Sequence, residues 1–443
     1  MYFVYSLLLT LGFLLLLPRF LFDGLRHGKY VTGFRERLGL LAPIESEGNP
    51  VVWIHCVSVG ETQAARPLVK RIRERFPDRL IVVSTITLTG NNLACEVFAQ
   101  EAAKVIYFPF DWRWTVRRAL KAVKPSAVLL METELWPGFL RECYSQQIPV
   151  AIVNGRLSHQ SFRRYKLIKG FVSRVLDCLS LAVMQTDADA ERIQRLGLYP
   201  ARIFVSGNLK FDAGTMSGPN TLTTDLGKRF NISNDAAVIL AASTHAPEES
   251  IVLNALRQLR TDTAEKPRLV LAPRHPERFA EVASLLAGSG LTWTKRTATA
   301  QSTDANCDVI LLDTIGELPA LYSLASVVFV GGSIANRGGH NILEPAAAGA
   351  AIVTGALTHN FEAIVNQFVE DGAIIQLPPV SQPRAEVELA TVLKELLSDK
   401  RRRDELGQKG RKLVEQNMGA TERTLELLNP ILSNRQEGKS QPS

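Results

Sequence analysis

The sequence predicts an α/β protein made of two Rossmann-like domains. Short apolar runs alternate with helical segments along most of the chain, and one polar stretch interrupts the alternation near its middle. Strands buried between two layers of helices read as continuous apolar runs, which indicates parallel sheets covered on both faces. At 443 residues, with 46% hydrophobic side chains, the chain is long enough for two or three domains with ample cores.

The first element is an uncharged apolar segment, residues 2–17, which is followed by Pro18, Arg19 and a further apolar triplet. A spanning helix needs roughly 20 apolar residues, with about 17 as the lower limit. We therefore expect a membrane anchor over 1–22, either as a single span or as a helix lying in the interface. A cleaved signal peptide is disfavoured, since a basic start and a small-residue cleavage site are absent. The basic excess over 19–37 places the following domains on the cytoplasmic side.

The first domain, 23–211, is predicted from seven apolar runs that helical segments separate. The helical segment 61–76 carries apolar side chains at i, i+4 spacing, which is typical of a helix packed on a sheet. The runs are VVWIH, LIVVST, AKVIYF, SAVLLME, VAIVN, LAVMQ and IFVSG. A polar stretch rich in Gly and Thr, 212–235, is predicted to be a linker.

The second domain, 236–432, begins a new series of strands and helices. Its apolar runs are VILAAS, PRLVLAPR, DVILLD, SVVFVGG, AAIVTG and AIIQL. Its C-terminal part, 383–432, is charged and helical, and 433–443 is predicted to be a disordered tail. Open α/β sheets bind ligands at the carboxyl ends of their strands, so the two domains are expected to face a cleft.

Composition limits the classes of function. A net charge of +7 suits an anionic substrate or a membrane surface and is too small to indicate nucleic-acid binding. The five cysteines include no C-x-x-C pair, which indicates reduced thiols in a reducing compartment. No DxD-like element and no histidine cluster with metal-ligand spacing is present, so no metal cofactor is expected.

The stretch from Gly331 to Glu362 joins two apolar runs through a glycine-rich loop and a helix expected to begin at His340 and Asn341. Free backbone N–H groups at such a loop would form an anion site, and Glu344 would reach the ribose of a bound nucleotide. Alternatively, the glycines form a tight turn and Glu344 complements the helix dipole. The motif by itself leaves both interpretations open.

Polar loops follow six of the apolar runs, at positions that meet at the same edge of each predicted sheet. For any single loop, helix capping is the simpler interpretation, because Glu, Ser and Thr are common in first turns. Six such loops are difficult to assign to capping alone. The loops are 56–62, 132–137, 154–158, 208–212, 274–278 and 314–318.

Several motifs resemble, in order and over nearly the whole chain, those of the bacterial 3-deoxy-D-manno-octulosonic acid (Kdo) transferases. The motifs are VSVGET, METELWP, NGRLS, GNLKFD, APRHPER and GGHNILEPAAAG. The resemblance implies a B-type glycosyltransferase fold and an anchored inner-membrane enzyme with its catalytic domains on the cytoplasmic side. It further implies an inverting transfer of Kdo from CMP-Kdo onto the lipid A precursor lipid IVA. Neither a metal nor a nucleic-acid partner is expected.

The resemblance also implies the roles of individual residues. Glu61 is the general base, and Glu132 and Lys210 assist the transition state. The residues that hold CMP are Pro273, Arg274, Ile315, Gly316, Glu317, Asn341, Ile342, Leu343 and Glu344. On physical grounds, Glu61 lies at the start of a helix, whose dipole is expected to keep the carboxylate ionised. Glu132 and Glu134 are the next candidates for the base.

Two stretches, 111–118 and 161–169, mix cationic with large apolar side chains. Such patches attract anionic headgroups and insert aromatic rings at a membrane surface. The alternative is a solvated helix face whose aromatic rings turn toward the core. For the whole chain, the alternatives are a nucleotide-sugar epimerase of the same two-domain build and an anchored bilobed binding protein.

Overall fold

The computed structural model describes residues 2–27, 33–213, 221–232, 237–262 and 266–433, with backbone alone for 17–27 and for Asp262. The chain divides into two compact units, each an α/β structure. Unit 1 consists of Met1–Ala213 with Met418–Ser443, and unit 2 is Gly214–Asn417. This confirms the predicted pair of parallel-sheet α/β domains. The expected disordered tail lies, beyond Ser433, outside the described residues.

Unit 1 is built on one parallel sheet, and each of the seven predicted runs contributes one strand. The strands are β1 Val51–His55, β2 Leu80–Thr85, β3 Lys104–Tyr107, β4 Pro125–Met131, β5 Val150–Gly155, β6 Leu181–Met184 and β7 Ile203–Val205. Their order in the sheet is β3-β2-β1-β4-β5-β6-β7. Successive strands are added toward one edge of the sheet from β1 to β3 and toward the other edge from β4 onward. The carboxyl ends of β1 and β4 therefore border a crevice.

The helices of unit 1 cover both faces of this sheet. They are α1 Tyr2–His27, α2 Phe34–Arg37, α3 Val59–Arg75, α4 Leu88–Val97, α5 Arg113–Val123, α6 Pro137–Ser145, α7 His159–Leu167, α8 Lys169–Leu176, α9 Asp187–Leu196 and α10 Lys210–Ala213. Alternate residues of β1 enter opposite layers, as a strand requires. Trp53 packs in the cluster that contains Val116 and Phe139, whereas Ile54 packs in the cluster of Leu68 and Ile72.

Unit 2 contains a second seven-stranded parallel sheet, of order β10-β11-β9-β8-β12-β13-β14. Its strands are β8 Val238–Thr244, β9 Arg268–Pro273, β10 Trp293–Lys295, β11 Val309–Leu311, β12 Val327–Val330, β13 Ala351–Thr354 and β14 Ile375–Gln376. Strand β10 has no counterpart among the predicted runs, because its half-buried sequence WTK lacks the continuous apolar character of a central strand. The order reverses between β8 and β12, which places the crevice of this sheet there.

The helices of unit 2 include one inside the segment expected to be a linker. They are α11 Thr221–Arg229, α12 Glu248–Asp262, α13 Phe279–Ala287, α14 Leu343–Ala347, α15 Glu362–Glu370, α16 Gln382–Ser398 and α17 Lys400–Asn417. Within 212–235, helix α11 is fixed to unit 2 by Arg229, whose Nε donates to Asp304 at 3.0 Å. A polar sequence does not exclude a helix when one long side chain ties it to the core.

The last helix, α18 Ala420–Ser433, belongs to unit 1, although the sequence assigned 236–432 to the second domain. Its apolar side chains join the cluster that also contains residues of α3. The Asp212 carboxylate accepts from the backbone N–H groups of Gly419 and Thr421 at 2.7 and 2.6 Å. Amphipathic periodicity predicts such a helix but does not identify the sheet that it covers.

Helix α1 packs against unit 1 through polar and aromatic contacts. Tyr5 Oη donates to Asp111 Oδ2 at 2.8 Å, and Trp112 Nε1 donates to Thr10 Oγ1 at 3.0 Å. In the described part of the chain, no helix is long and apolar enough to cross a membrane. The expected single-pass span over 1–22 is therefore not supported. The uncharged run ends at residue 17, short of the roughly 20 residues that a span requires.

Candidate functional site

Glu61 lies in the first turn of α3, directly after β1, at the crevice of unit 1. Its Oε1 accepts from Ser58 Oγ at 2.9 Å, and its Oε2 accepts from the backbone N–H of Val57 at 2.8 Å. The Ser58 hydroxyl in turn accepts from the backbone N–H of Glu61. These reciprocal hydrogen bonds fix the carboxyl group of Glu61, a residue that is only 6% exposed.

Glu132 follows β4, the strand beside β1, and adopts a left-handed backbone conformation with φ of 53°. Such a conformation is uncommon for a residue with a side chain and is found more often at functional sites. Its Oε1 lies 3.8 Å from Lys210 Nζ. Glu61 and Glu132 thus follow neighbouring strands of one sheet, and Lys210 pairs with Glu132. These are the three residues that the resemblance assigned to catalysis.

The Glu61 carboxyl group is held protonated more strongly than an ordinary glutamate. Burial, followed by the negative charge of Glu132, raises the pKa of Glu61 to about 8. Burial and Glu132 also raise the pKa of Glu134. The expectation that the helix N-terminus keeps Glu61 ionised is therefore wrong near neutral pH, because the loss of hydration outweighs the effect of the helix end. A pKa near the working pH is nevertheless suited to proton transfer.

Asn154 positions the Lys210 segment, a role that the sequence did not indicate. It is fully buried at the end of β5 with φ of 55°, and its Oδ1 accepts from the backbone N–H of Leu209 at 3.0 Å. Asn208 Oδ1 accepts from the backbone N–H of Lys210 at 3.0 Å. The pair Asn154-Gly155 could have indicated a left-handed turn at this position, since Asn tolerates that conformation better than most other side chains.

In unit 2, Pro273 and Arg274 lie at the carboxyl end of β9. Pro273 is buried and ends the strand, while the side chain of Arg274 is exposed. The backbone N–H of Arg274 donates to the carbonyl of Thr244 at 3.0 Å. This bond fixes the backbone of Arg274 beside β8, while its guanidinium group stays accessible.

Ile315, Gly316 and Glu317 form a loop after β11. Ile315 is exposed, and Gly316 adopts φ of 85°, a conformation that favours glycine. The Glu317 carboxylate pairs with Arg296 through two contacts of 2.9 and 3.2 Å. The side chain of Glu317 therefore holds the loop in place, while the side chain of Ile315 stays exposed.

Residues 341–344 surround the start of α14, which begins at Leu343 rather than at His340 and Asn341 as expected. Asn341 Oδ1 accepts from the backbone N–H of Leu343 at 3.0 Å, and Asn341 Nδ2 donates to Glu344 Oε1 at 3.2 Å. The side chains of Ile342 and Leu343 are fully buried. These two residues can contact a ligand only through their backbone.

Three histidine side chains to which the sequence assigned no role lie at the crevice of unit 2. His245 follows β8, and its Nε2 lies 2.9 Å from Nε2 of His340. The ring of His275 lies 5.1 Å from that of His245. Burial, with the neighbouring histidine and arginine groups, lowers the pKa of His245 to about 4 and of His340 to about 3. The pair is therefore neutral at pH 7 and shares one proton through its hydrogen bond.

The glycine-rich loop does not offer free N–H groups over 332–335, because these groups donate to the buried Glu248 carboxylate. Of the two interpretations left open by the sequence, the loop therefore fits the tight turn. Across the described ranges, no group of three or more His, Cys, Asp or Glu side chains could hold a metal ion. Independence from a metal stays a prediction.

Residues 32–213 match a family model described as 3-deoxy-D-manno-octulosonic-acid transferase (kdotransferase). A relative from Haemophilus influenzae with the same described activity is 33% identical over 406 residues, 91% of this chain and 92% of the relative. Another, from Bordetella pertussis, is 33% identical over 412 residues, 92% of this chain and 91% of the relative.

Among solved structures, the chain is similar to a UDP-GlcNAc 2-epimerase from Neisseria meningitidis bound to UDP-GlcNAc. The TM-score is 0.56 at 14% sequence identity, over 87% of this chain and all of the epimerase chain. At this identity the likeness shows the fold alone. It agrees with the predicted two-domain α/β class shared by B-type glycosyltransferases and these epimerases.

Proposed function

Because the chain belongs to the 3-deoxy-D-manno-octulosonic acid (Kdo) transferase family, we propose that it transfers Kdo from CMP-Kdo onto lipid IVA with inversion at the anomeric carbon. Family membership makes it a glycosyltransferase of lipopolysaccharide biosynthesis. The observation that carries the finer proposal is the buried Glu61 carboxyl group beside Glu132 and Lys210. The epimerase alternative shares only the fold, whereas the transferase relatives share about a third of the sequence.

In the proposed reaction, a hydroxyl oxygen of lipid IVA attacks the anomeric carbon of Kdo, and Glu61 takes the hydroxyl proton. The bond between that carbon and the phosphate oxygen breaks, and CMP leaves with the electron pair. With a pKa of about 8, roughly a tenth of Glu61 is ionised at pH 7. This fraction suffices for a base, and its high proton affinity favours the transfer.

Positive charge develops on the sugar as CMP leaves, and Glu132 is the group proposed to stabilise it. A fixed carboxylate in a water-poor crevice interacts with such a charge more strongly than a solvated one does. Lys210, 3.8 Å from Glu132, keeps that carboxylate oriented and supplies a cation for the acidic donor. Asn154 fixes the segment on which Lys210 lies.

The nucleotide part of the donor is assigned to unit 2. Arg274 presents an exposed guanidinium for the phosphate, a group that arginine binds well. Glu344, oriented by Asn341, is assigned to the ribose hydroxyls. The remaining contacts fall to Pro273, to the backbone of 315–317 and to the backbone of Ile342 and Leu343.

The acceptor lies in a membrane, and unit 1 offers a surface that suits the cytoplasmic face of the inner membrane. Helix α1 exposes a row of apolar side chains, among them Phe3, Leu8 and Leu15 at 79, 63 and 81%. An aromatic contact of α1 reaches the first basic aromatic stretch at Trp112, and another reaches Phe171, two residues after the end of the second stretch. We propose that α1 lies in the interface, its apolar face among the lipids, instead of spanning the bilayer.

Incubation of the purified protein with CMP-Kdo and lipid IVA tests the proposal. The expected products are CMP and a lipid whose mass has increased by one or more Kdo residues, both detected by mass spectrometry. An epimerase would alter the nucleotide sugar and leave the lipid unchanged. A binding protein would bind the donor without forming either product.

A further inference from the structure

Glu248, the first residue of α12, is a fully buried carboxylate. Its oxygens accept from the backbone N–H groups of four consecutive residues in the loop after β12. The distances are 2.7 Å from Gly332, 3.0 Å from Ser333, 2.8 Å from Ile334 and 3.2 Å from Ala335. The backbone N–H of His245 donates to the same carboxylate at 3.0 Å.

A buried carboxylate is stable only when hydrogen-bond donors replace its lost hydration. Consecutive backbone N–H groups that converge on one point form an anion-binding concavity of the kind that usually holds a ligand's phosphate. Here the chain's own carboxylate fills that concavity. The carboxylate of α12 therefore stabilises the conformation of the loop, and these four N–H groups are not available to a ligand.

The conformation of this loop determines where His340 lies. Gly332 has φ of 69°, and a Cβ atom on it would come within 2.8 Å of the His340 ring. The Gly332 carbonyl accepts from the N–H groups of Arg337 and Gly339 at 3.0 and 2.9 Å, which closes the loop just before His340. His340 then pairs with His245, whose own backbone is bound to Glu248.

We propose that Glu248 is a positioning residue of the donor site. Its carboxylate fixes the loop and His245 together, and thereby sets the position of His340 and of the adjoining residues 341–344 that receive the nucleotide. This inference rests on the proposed function. No contact between Glu248 and the donor is required, since its influence passes through the loop.

The substitution Glu248→Gln tests this role, because it replaces one acceptor oxygen by an NH₂ group that faces N–H donors. Calorimetric titration with CMP is expected to show affinity reduced about tenfold or more, as for the loss of a charge-assisted contact. In the transferase assay, KM for CMP-Kdo should rise while kcat changes by less than about threefold. Hydrogen exchange followed by mass spectrometry should show faster exchange over 331–340.

Glu249→Gln is the matched control. Glu249 is the next residue on α12 and is also buried; its Oε1 accepts from Arg278 Nη1 at 2.6 Å, whereas the N–H groups of 332–335 donate to Glu248. This variant is expected to melt at a lower temperature yet to retain the CMP affinity and the slow loop exchange. A melting-temperature loss of similar size in both variants, with CMP affinity lost only in Glu248→Gln, separates positioning from general stability.

Glu248→Asp keeps the charge but shortens its reach, so an intermediate loss of affinity and protection is expected even if the Gln variant does not fold. Wild-type affinity and exchange in a folded Glu248 variant, or equal loss of affinity in Glu249→Gln, would overturn the inference. If the wild-type protein does not bind CMP, the donor assignment of the proposed function fails. The exchange comparison then still decides whether Glu248 orders the loop.

Discussion

Glu61 and Glu132 lie at the carboxyl ends of adjacent parallel strands, at the one place where the strand order of unit 1 reverses. Burial, followed by the charge of Glu132, raises the pKa of Glu61 to about 8, while Ser58 and Val57 hold its carboxyl group in a fixed orientation. The same residue thus lies in the capped first turn of α3 and is the proposed proton acceptor. The predictions below separate these two roles and test the surfaces assigned to donor and membrane.

Replacement of Glu61 by Gln keeps the size of the side chain and removes the proton acceptor. Since general-base assistance contributes about 10²–10⁴-fold, turnover should fall by at least about 10²-fold with CMP affinity near wild type. Asp189→Asn is the matched control, because Asp189 is a buried first-turn carboxylate bonded to its capping residue Thr186 in the same way. That control should lose stability and keep turnover. Near-normal turnover in Glu61→Gln would end the assignment, and Glu132 and Glu134 would be tested next.

The pH dependence of turnover should report the titration of Glu61. Because the ionised form acts as base, kcat is expected to rise with pH and to level off above about 8. Steady-state rates from pH 6 to 9.5 measure this profile at saturating donor and acceptor. A flat profile over that range would contradict the assignment of Glu61 as the titrating base.

The raised pKa of Glu61 also predicts how stability changes with pH. The folded state binds the proton more tightly than the unfolded state, in which a glutamate titrates near 4.3. The resulting stabilisation is complete at low pH and is lost as the pH rises toward about 8. Melting temperatures at pH 5 and pH 8.5 should therefore differ more for the wild-type protein than for Glu61→Gln. Equal differences would show that Glu61 has an ordinary pKa.

The nucleotide assignment predicts that Arg274→Ala and Glu344→Ala each weaken CMP binding by about ten- to a hundredfold, the cost of a charge-assisted contact. Calorimetric titration measures the affinities, and circular dichroism confirms that the variants fold. Arg257→Ala serves as the control, since Arg257 is an exposed arginine of the same unit whose guanidinium contacts Asn254 and the carbonyl of Ser289. Unchanged affinity in both test variants would remove these residues from the nucleotide site.

The interfacial helix predicts that Leu8→Glu and Leu15→Glu reduce binding to vesicles that contain anionic lipid. Burying a leucine side chain is worth roughly 1.5–3 kcal/mol, so a loss of about tenfold or more is expected for each. Co-sedimentation with vesicles measures this loss of binding. The same change at Leu285, an exposed leucine of unit 2, should leave vesicle binding unchanged. Equal binding by all three variants would exclude α1 as the lipid-contacting element.

Apolar runs and helical periodicity in the sequence were sufficient to predict most of the strands and helices. Thirteen apolar runs each contain an observed strand, because the strands of a parallel sheet that helices cover on both faces are mostly apolar. The amphipathic segment 61–76 corresponds to α3, and the charged C-terminal segment is helical. The position of Glu61 after the first run followed from the same reasoning, since each run ends at the same edge of its sheet.

Tertiary structure decided what depends on partners distant in sequence. Periodicity showed that α18 is amphipathic, but its packing on unit 1 depends on contacts such as that of Asp212 with Thr421. The charge state of Glu61 depends on burial and on Glu132, which is far away along the chain. The glycine-rich loop suggested free N–H groups until Glu248 was found to occupy them. The sequence by itself determined which segments form strands and helices, because backbone geometry and burial impose local periods. Hydration, charge and hydrogen-bond saturation are properties of the assembled core, and only the folded chain determines them.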